Sequence, residues 1–283
     1  MNKMFVGGGK STLLKILEFV RLYRRGLSLV KTIYFNFKVL PINYAIKLPF
    51  ALGKNIEIQG IGNLKVVFKE NIEPQRFMIK LGICNTKMIP LKGTWSLLRF
   101  EKGAVLVIGK DVLIAPGFSL NIYNNAVLTV GSDVLINFRN KIYCKNSITL
   151  NDHIRIGWEN QIYDSTFHFI YNKKNNSIGN CYGRIEIGSY CWITNRCTLS
   201  GNVLLSPYSI IAANSLANKD YSQYTTEGNM FAGSPIELKT TGVYRIFNAE
   251  KQYELFCYFK NHVNNKTITM DEKFNIYDYL TTK

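Results

Sequence analysis

Val130, Ile136, Ile142, Ile148 and Ile154 recur at intervals of six residues, and after an interruption Ile187, Ile193, Leu199, Leu205 and Ile211 do the same. Ile, Leu and Val fill 73 of 283 positions, so five consecutive hits at one phase arise by chance about once per thousand starting points. A second repeat overlays the first: AVLVIGKDVLI at 104–114 returns as AVLTVGSDVLI at 126–136, a shift of 22 that places Gly109 over Gly131. A helix repeats its apolar stripe every three and four residues and a plain strand every two, so neither singles out each sixth position. Short strands that each cover one face of a prism, turn a corner and send one aliphatic side chain inward per face do so. The pattern predicts a mainly β chain wound as a parallel β-helix over about residues 55–235. Gly109, Gly131, Gly157 and Gly188 each follow an aliphatic rung and read as corner residues with positive φ.

Outside the ladder, residues 11–25 read as a helix with Ser11 or Thr12 as N-cap and Gly26 as stop, and 247–263 as a second helix. Such pieces cap solenoid ends, and the second is expected to fold back on the β-helix or on a neighbouring subunit. The chain thus divides into a basic amphipathic segment at 1–54, a β-helix domain at 55–240 and a C-terminal helix and tail at 241–283. GGGKSTLLKIL at 7–17 holds the second half of a phosphate-binding loop in Gly9, Lys10 and Ser11. The first glycine of that motif should stand where the chain has Met4, and six residues before Gly7 are too few for the strand that enters such a turn. An ATP site is not expected there.

Net charge is +16, and residues 1–54 carry ten Lys or Arg against the single acid Glu18. Interleaved with Leu, Ile, Phe and Tyr, this arm fits either the surface of an anionic membrane or a solvated helix face packed on the main domain. No DNA- or RNA-binding motif accompanies the charge, so nucleic acid is not expected as a partner. Lys15, Glu18 and Arg21 interrupt the apolar run at 13–23, which falls short of a membrane span. There is no secretory cleavage pattern, and the six cysteines, Cys84, Cys144, Cys181, Cys191, Cys197 and Cys257, form no C-x-x-C pair. They read as reduced thiols of a cytoplasmic protein.

IGSYCWITNRCTLSGNVLLSPYSIIAANSLANKD at 187–220, with FAGSPIELK at 231–239, resembles the C-terminal coils of hexapeptide-repeat acyltransferases, whose β-helix is left-handed. IRIGWENQIYDSTFHFI at 154–170 is similar to the active-site coil of the capsular-polysaccharide and O-antigen branch, and TIYFNFKVLPINYAIKLPF at 32–50 to its N-terminal segment. The resemblance implies a left-handed parallel β-helix that transfers an acyl group, usually acetyl, from acetyl-CoA to a hydroxyl or amine of a nucleotide- or lipid-linked sugar. It further implies a homotrimer with sites between adjacent subunits, and no metal.

Carried onto this chain, the resemblance makes His168 the general base that takes the acceptor's proton, a task to which histidine is suited near neutral pH. Asp164, four residues before it, would help bind the acceptor or order the site. Backbone amides near Ser200 and Gly201 would stabilise the tetrahedral oxyanion, and Trp192 would border the site. Ala213, Lys219 and the Gly233-Ser234-Pro235 turn fall where relatives line the pantetheine and phosphates, with Lys239 and Arg245 as further phosphate contacts. The polar loop YNKKNNSIGNCYG at 171–183 would select the acceptor.

Plainer readings stand beside these. Asp164 serves equally as a turn cap, Trp192 as a cover for the coil stack, and Lys219, Lys239 and Arg245 as surface charge; His153 and His262 read as structural. Thr194, Ser206, Asn214, Ser234 and Ile236 depart from the family's usual residues, and Asn214 should hold a left-handed corner. A zinc enzyme on the same fold needs three histidines at spacings that His153, His168 and His262 do not offer. The remaining alternative is a non-catalytic β-helix serving as scaffold or sugar-binding module.

Overall fold

The computed structural model describes residues 12–83, 93–270 and 274–280, so Lys10, Ser11 and Cys84 lie outside the described residues. From Phe50 onward the chain passes in rotation through three faces: face A with nine strands, face B with seven and face C with six. Equivalent strands pair in parallel, one coil apart: Leu113, Leu135 and Arg155 align on face A, Asn121, Tyr143 and Tyr163 on face B, and Val107, Thr129, Thr149 and Glu186 on face C. All ten residues of the sixfold ladder are at most 4 % exposed and belong to one continuous core. Each contributes roughly 1.5–3 kcal/mol by leaving water. Coil offsets of 22 (Leu113 to Leu135), 20 (Leu135 to Arg155) and 18 (Trp192 to Ile210) preserve this inward set because the corners absorb the extra residues.

The corner glycines need correction. Gly109, Gly131, Gly157 and Gly188 do not have positive φ; the left-handed residues stand two positions on, at Asp111, Asp133, Glu159 and Tyr190. Close stacking is what requires glycine. A Cβ on Gly131 would lie 2.6 Å from the backbone of Asn151, and one on Gly157 2.3 Å from the Thr194 carbonyl oxygen. Asn214 does hold the left-handed corner, with φ 57°. Gly131→Ala is expected to cost about 1–3 kcal/mol of stability through overpacking, read as a lower urea midpoint; an unchanged midpoint would mean that adjacent coils can part at no cost.

The first coil starts at Phe50, inside the segment assigned from sequence to the N-terminal arm. Helix α1 spans Thr12–Arg24 and stops near Gly26, as expected. Two helices follow that the sequence does not announce, α2 at Leu29–Val39 and α3 at Ile42–Ala45. Helix α2 caps the solenoid with buried polar side chains. Asn36 donates to the Phe50 carbonyl (2.8 Å) and accepts from its N–H (3.1 Å), and the Thr32 hydroxyl accepts from Leu52 N–H (3.0 Å). These bonds satisfy the strand edge that the first coil would otherwise expose.

At the far end the antiparallel strand Ile236–Thr240 closes face A. Helix α4, Ala249–Asn261, starts at Asn248, whose side chain accepts from Glu250 and Lys251 N–H, and it buries none of its residues. Of the two placements open to this helix, packing along its own β-helix is therefore not the one adopted. No helix among the described residues is long and apolar enough to cross a membrane.

Candidate active site

The strand Gln161–Tyr163 on face B ends at Asp164, which turns inward at the corner between faces B and C. Its buried carboxylate accepts from the N–H groups of Lys145 (2.7 Å), Asn146 (2.8 Å) and Ser147 (2.6 Å), the corner of the preceding coil. Burial holds its carboxyl above the usual carboxylate range despite the opposing pull of the three N–H donors. The chain then leaves the prism and returns at Gly183, whose N–H donates to the Asp164 carbonyl (2.6 Å), while the Asn146 side chain donates to the Gly183 carbonyl (2.8 Å). Both ends of the excursion are thus tied to one corner.

Within it, Ser165 Oγ accepts from Phe167 N–H (3.0 Å), and Thr166 N–H donates to the Cys181 carbonyl (3.1 Å). Phe167 is left-handed (φ 62°), and its ring wedges edge-on against Tyr123 and Tyr143, with centroids 5.5 and 6.4 Å away. Lys145 Nζ lies 5.0 Å over the Phe167 ring. The next residue, His168, is exposed, and its imidazole meets no hydrogen-bond or ion-pair partner among the described residues. It stands at the foot of an exposed hairpin of Tyr171–Asn172 and Ser177–Ile178. Lys145, Phe167, Tyr123 and Tyr143 are supports that sequence reasoning missed. The one signal for them is that Tyr143 and Tyr163 recur at the coil spacing.

One coil further along the same corner lie Ser200 and Gly201, with Ser200 in register with Tyr163. Gly201 N–H already donates to the Tyr163 carbonyl (3.1 Å), so it is not free to hold an oxyanion. The half-buried Ser200 hydroxyl, at the end of its strand, is a donor on that corner with no partner among the described residues. Asp164 also changes role. With its carboxylate buried and engaged, it cannot touch an acceptor, and of its two expected tasks only ordering the turn remains.

The other expected residues stand elsewhere. Trp192 lies on face A, across the core from the corner that bears His168. Arg245 sits 5.6 Å over the Trp192 ring and 4.6 Å over Phe247, with one guanidinium nitrogen, Nη1, buried and unpartnered. Burial brings it down to about 10, helped by Arg155, so it stays charged but is not an open phosphate ligand as expected. Ala213 and Gly233 meet at the corner between faces A and B, where Ser215 Oγ donates to the Ala213 carbonyl (3.4 Å) and accepts from Gly233 N–H (3.2 Å). Ser234 is exposed beside them, and Lys239 is exposed and paired with Glu237 at 2.9 Å, whereas the exposed Lys219 lies between the face B strand Leu216–Ala217 and Asp220 on face C, at the edge of the prism that also bears His168. The three histidines occupy separate places: His168 as above, His153 on Asp133 (2.9 Å), and His262 stacked on Tyr258 at the end of α4.

His153 belongs to the corner between faces C and A, where it stacks on Tyr190 and Tyr190 on Tyr208 (4.4 and 5.1 Å). Asp133 also accepts two bonds from Arg155 (2.9 Å each). Burial would raise the Asp133 carboxyl, but the bonds from His153 and Arg155 outweigh it and hold the group below its usual value. A carboxyl lowered in the folded state stabilises above its unfolded value and loses that contribution as pH falls through the folded one. The stability gap between wild type and Asp133→Asn should therefore be full at about pH 6 and close below about pH 4 in urea titrations; a gap constant to the most acid pH would contradict the ion pair.

No family model matches the sequence, and no curated protein matches it. Among solved structures, the polySia specific acetyltransferase NeuO superposes with a TM-score of 0.51 at 14% identity, over 80% of this chain and 91% of that one. The polysialic acid O-acetyltransferase OatWY does so at 0.48 and 16%, over 81% and 91%. AntD, an N-acyltransferase from Bacillus cereus solved with dTDP and 3-hydroxybutyryl-CoA, gives 0.37 at 11%, over 76% and 89%. The chain has the left-handed parallel β-helix fold of the hexapeptide-repeat acetyltransferases.

Proposed function

We propose that this protein is an acyltransferase that moves an acetyl group from acetyl-CoA to a hydroxyl or amine of a sugar, with His168 as general base. The observation that carries the reading is the presentation of His168: an unpartnered imidazole in solvent, on a backbone turn held from both sides. His168 takes the proton from the acceptor as its oxygen or nitrogen attacks the thioester carbonyl. The Ser200 hydroxyl donates to the oxygen that becomes negative. Collapse of the tetrahedral species breaks the carbon–sulfur bond, and the imidazolium returns its proton to the departing thiolate.

The cofactor's polyanion would lie along the exposed Ala213, Gly233 and Ser234 corner, with Lys239 toward its phosphates and Trp192 flanking the thioester. In one subunit this half is separated from His168 by the β-helix itself. A homotrimer in which each site joins the His168 corner of one subunit to the Ala213 corner of the next resolves that separation. Phe169, Ile170, Tyr171 and Ile178, exposed on the hairpin, select the acceptor, a nucleotide- or lipid-linked sugar of surface-polysaccharide assembly. The free thiols among the described cysteines fit a cytoplasmic setting.

The test is release of free thiol from acetyl-CoA in the presence of a panel of activated sugars. Acceptor-dependent release above the rate without protein is expected. No release with any acceptor, together with no coenzyme A binding in calorimetry, would replace this reading with a scaffold or sugar-binding module.

A further inference from the structure

Helix α2 buries one side on the solenoid and exposes an apolar stripe on the opposite one. One stripe, Thr32, Phe35, Asn36 and Val39, lies against the first coil, where Phe35 packs edge-on to Phe50 at 5.1 Å. The other, Val30, Ile33, Tyr34 and Phe37, follows the same i, i+3, i+4, i+7 spacing and is between 47 % and 79 % exposed. Ile42 and Ile46, 66 % and 64 % exposed, continue the exposed apolar surface through α3. Isolated exposed aliphatics are ordinary on a protein surface, but a helical stripe of them is not.

The charge around this stripe identifies what covers it. Residues 12–54 carry eight Lys or Arg and one acid, Glu18. Arg24, Lys38 and Lys54 are exposed; Lys54 lies 4.9 Å over the exposed Tyr23 ring, and Lys38 directly follows Phe37. Lys31, whose Nζ donates to the Lys54 and Ile56 carbonyls (2.7 and 2.6 Å), adds a cation that pairs with no carboxylate among the described residues. A second copy of the same face would set like charge against like. An anionic surface that is apolar beneath its charges matches both features at once: aliphatic and aromatic side chains enter the headgroup boundary while the flanking cations meet phosphates.

We infer that the α2–α3 surface docks the protein on an anionic membrane as an interfacial, non-spanning anchor. Nothing in this inference depends on the acyltransferase reading, and the α2–α3 surface sits on the first coil, whereas His168 follows the fifth of the seven face B strands.

The test is flotation of the full chain with lipid vesicles. Binding is expected to vesicles of phosphatidylcholine with about 30 mol % phosphatidylglycerol, and about tenfold less to phosphatidylcholine alone. Val30→Ser, Ile33→Ser and Phe37→Ser combined should lower binding at least about tenfold, and Lys38→Gln about fivefold. These side chains face solvent, so circular dichroism and thiol release should stay at wild-type values. Failure to float with the anionic vesicles, or equal flotation of the triple variant, would overturn the inference. So would an oligomer in sedimentation that the triple variant alone dissolves, which would assign the face to a second copy instead.

Discussion

Replacing His168 with alanine is expected to lower kcat/KM for acetyl transfer by about 10²–10⁴, the usual contribution of a positioned general base, while leaving coenzyme A binding and the unfolding midpoint unchanged. The two halves of that expectation come from the same geometry. Because the imidazole makes no bond to the described residues, deleting it removes no packing and strands no buried group. Because Thr166 Oγ1 donates to the His168 carbonyl (3.0 Å) and not to its ring, the turn keeps its shape in the variant. A loss of stability in parallel with activity would show that His168 is structural. Equal thiol release by both proteins, above the rate without protein, would remove it as the base.

Asp164→Ala should have the larger effect on folding. The buried carboxylate accepts from three amides, and an unpaired buried N–H costs about 1–3 kcal/mol. Some relaxation is inevitable, so the total loss should be on the order of 3–5 kcal/mol, in the range seen when a buried charge partner is removed. Asn at this position still accepts through one oxygen but turns an amide donor toward the remaining N–H, so it should fall between alanine and wild type. The consequence for catalysis is indirect: the two strands of the excursion that carries His168 lose their common anchor. Below the unfolding transition, thiol release should drop while coenzyme A binding, at the other corner, persists. A stable, fully active Asp164→Ala protein would show that the turn is held by other means.

The inward ladder was legible because a period of six is written in consecutive residues and survives changes in coil length. The glycines were legible as special but not for the right reason. Their φ is ordinary, and the constraint on Gly131 is the backbone of Asn151, one coil away. Helix α2 escaped because it buries the polar Thr32 and Asn36 and exposes the apolar Val30, Ile33 and Phe37, so no polar face marks its period. Residue by residue, the site motif DSTFH supplied His168, but only the fold shows that Asp164 addresses three amides and that Phe167 locks the turn. Which face Trp192 occupies depends on coil offsets of 18, 20 and 22, set by corner lengths that no single hexapeptide reveals. At the N-terminus, the glycine-rich start leads into helices and then the β-helix, not into the alternating strands and helices of a phosphate-loop enzyme.

The claim on which the rest depends is that an active centre needs the His168 corner of one subunit and the Ala213 corner of another. It is tested most directly by mixing two inactive proteins, His168→Ala and Ala213→Glu, the second placing negative charge where the cofactor's polyanion would run. Co-expressed in equal amounts, they should regain about a quarter of wild-type thiol release, since that share of random subunit junctions pairs two intact halves. If both halves belonged to one subunit, every subunit would carry a defect, and the mixture would be no more active than either variant alone.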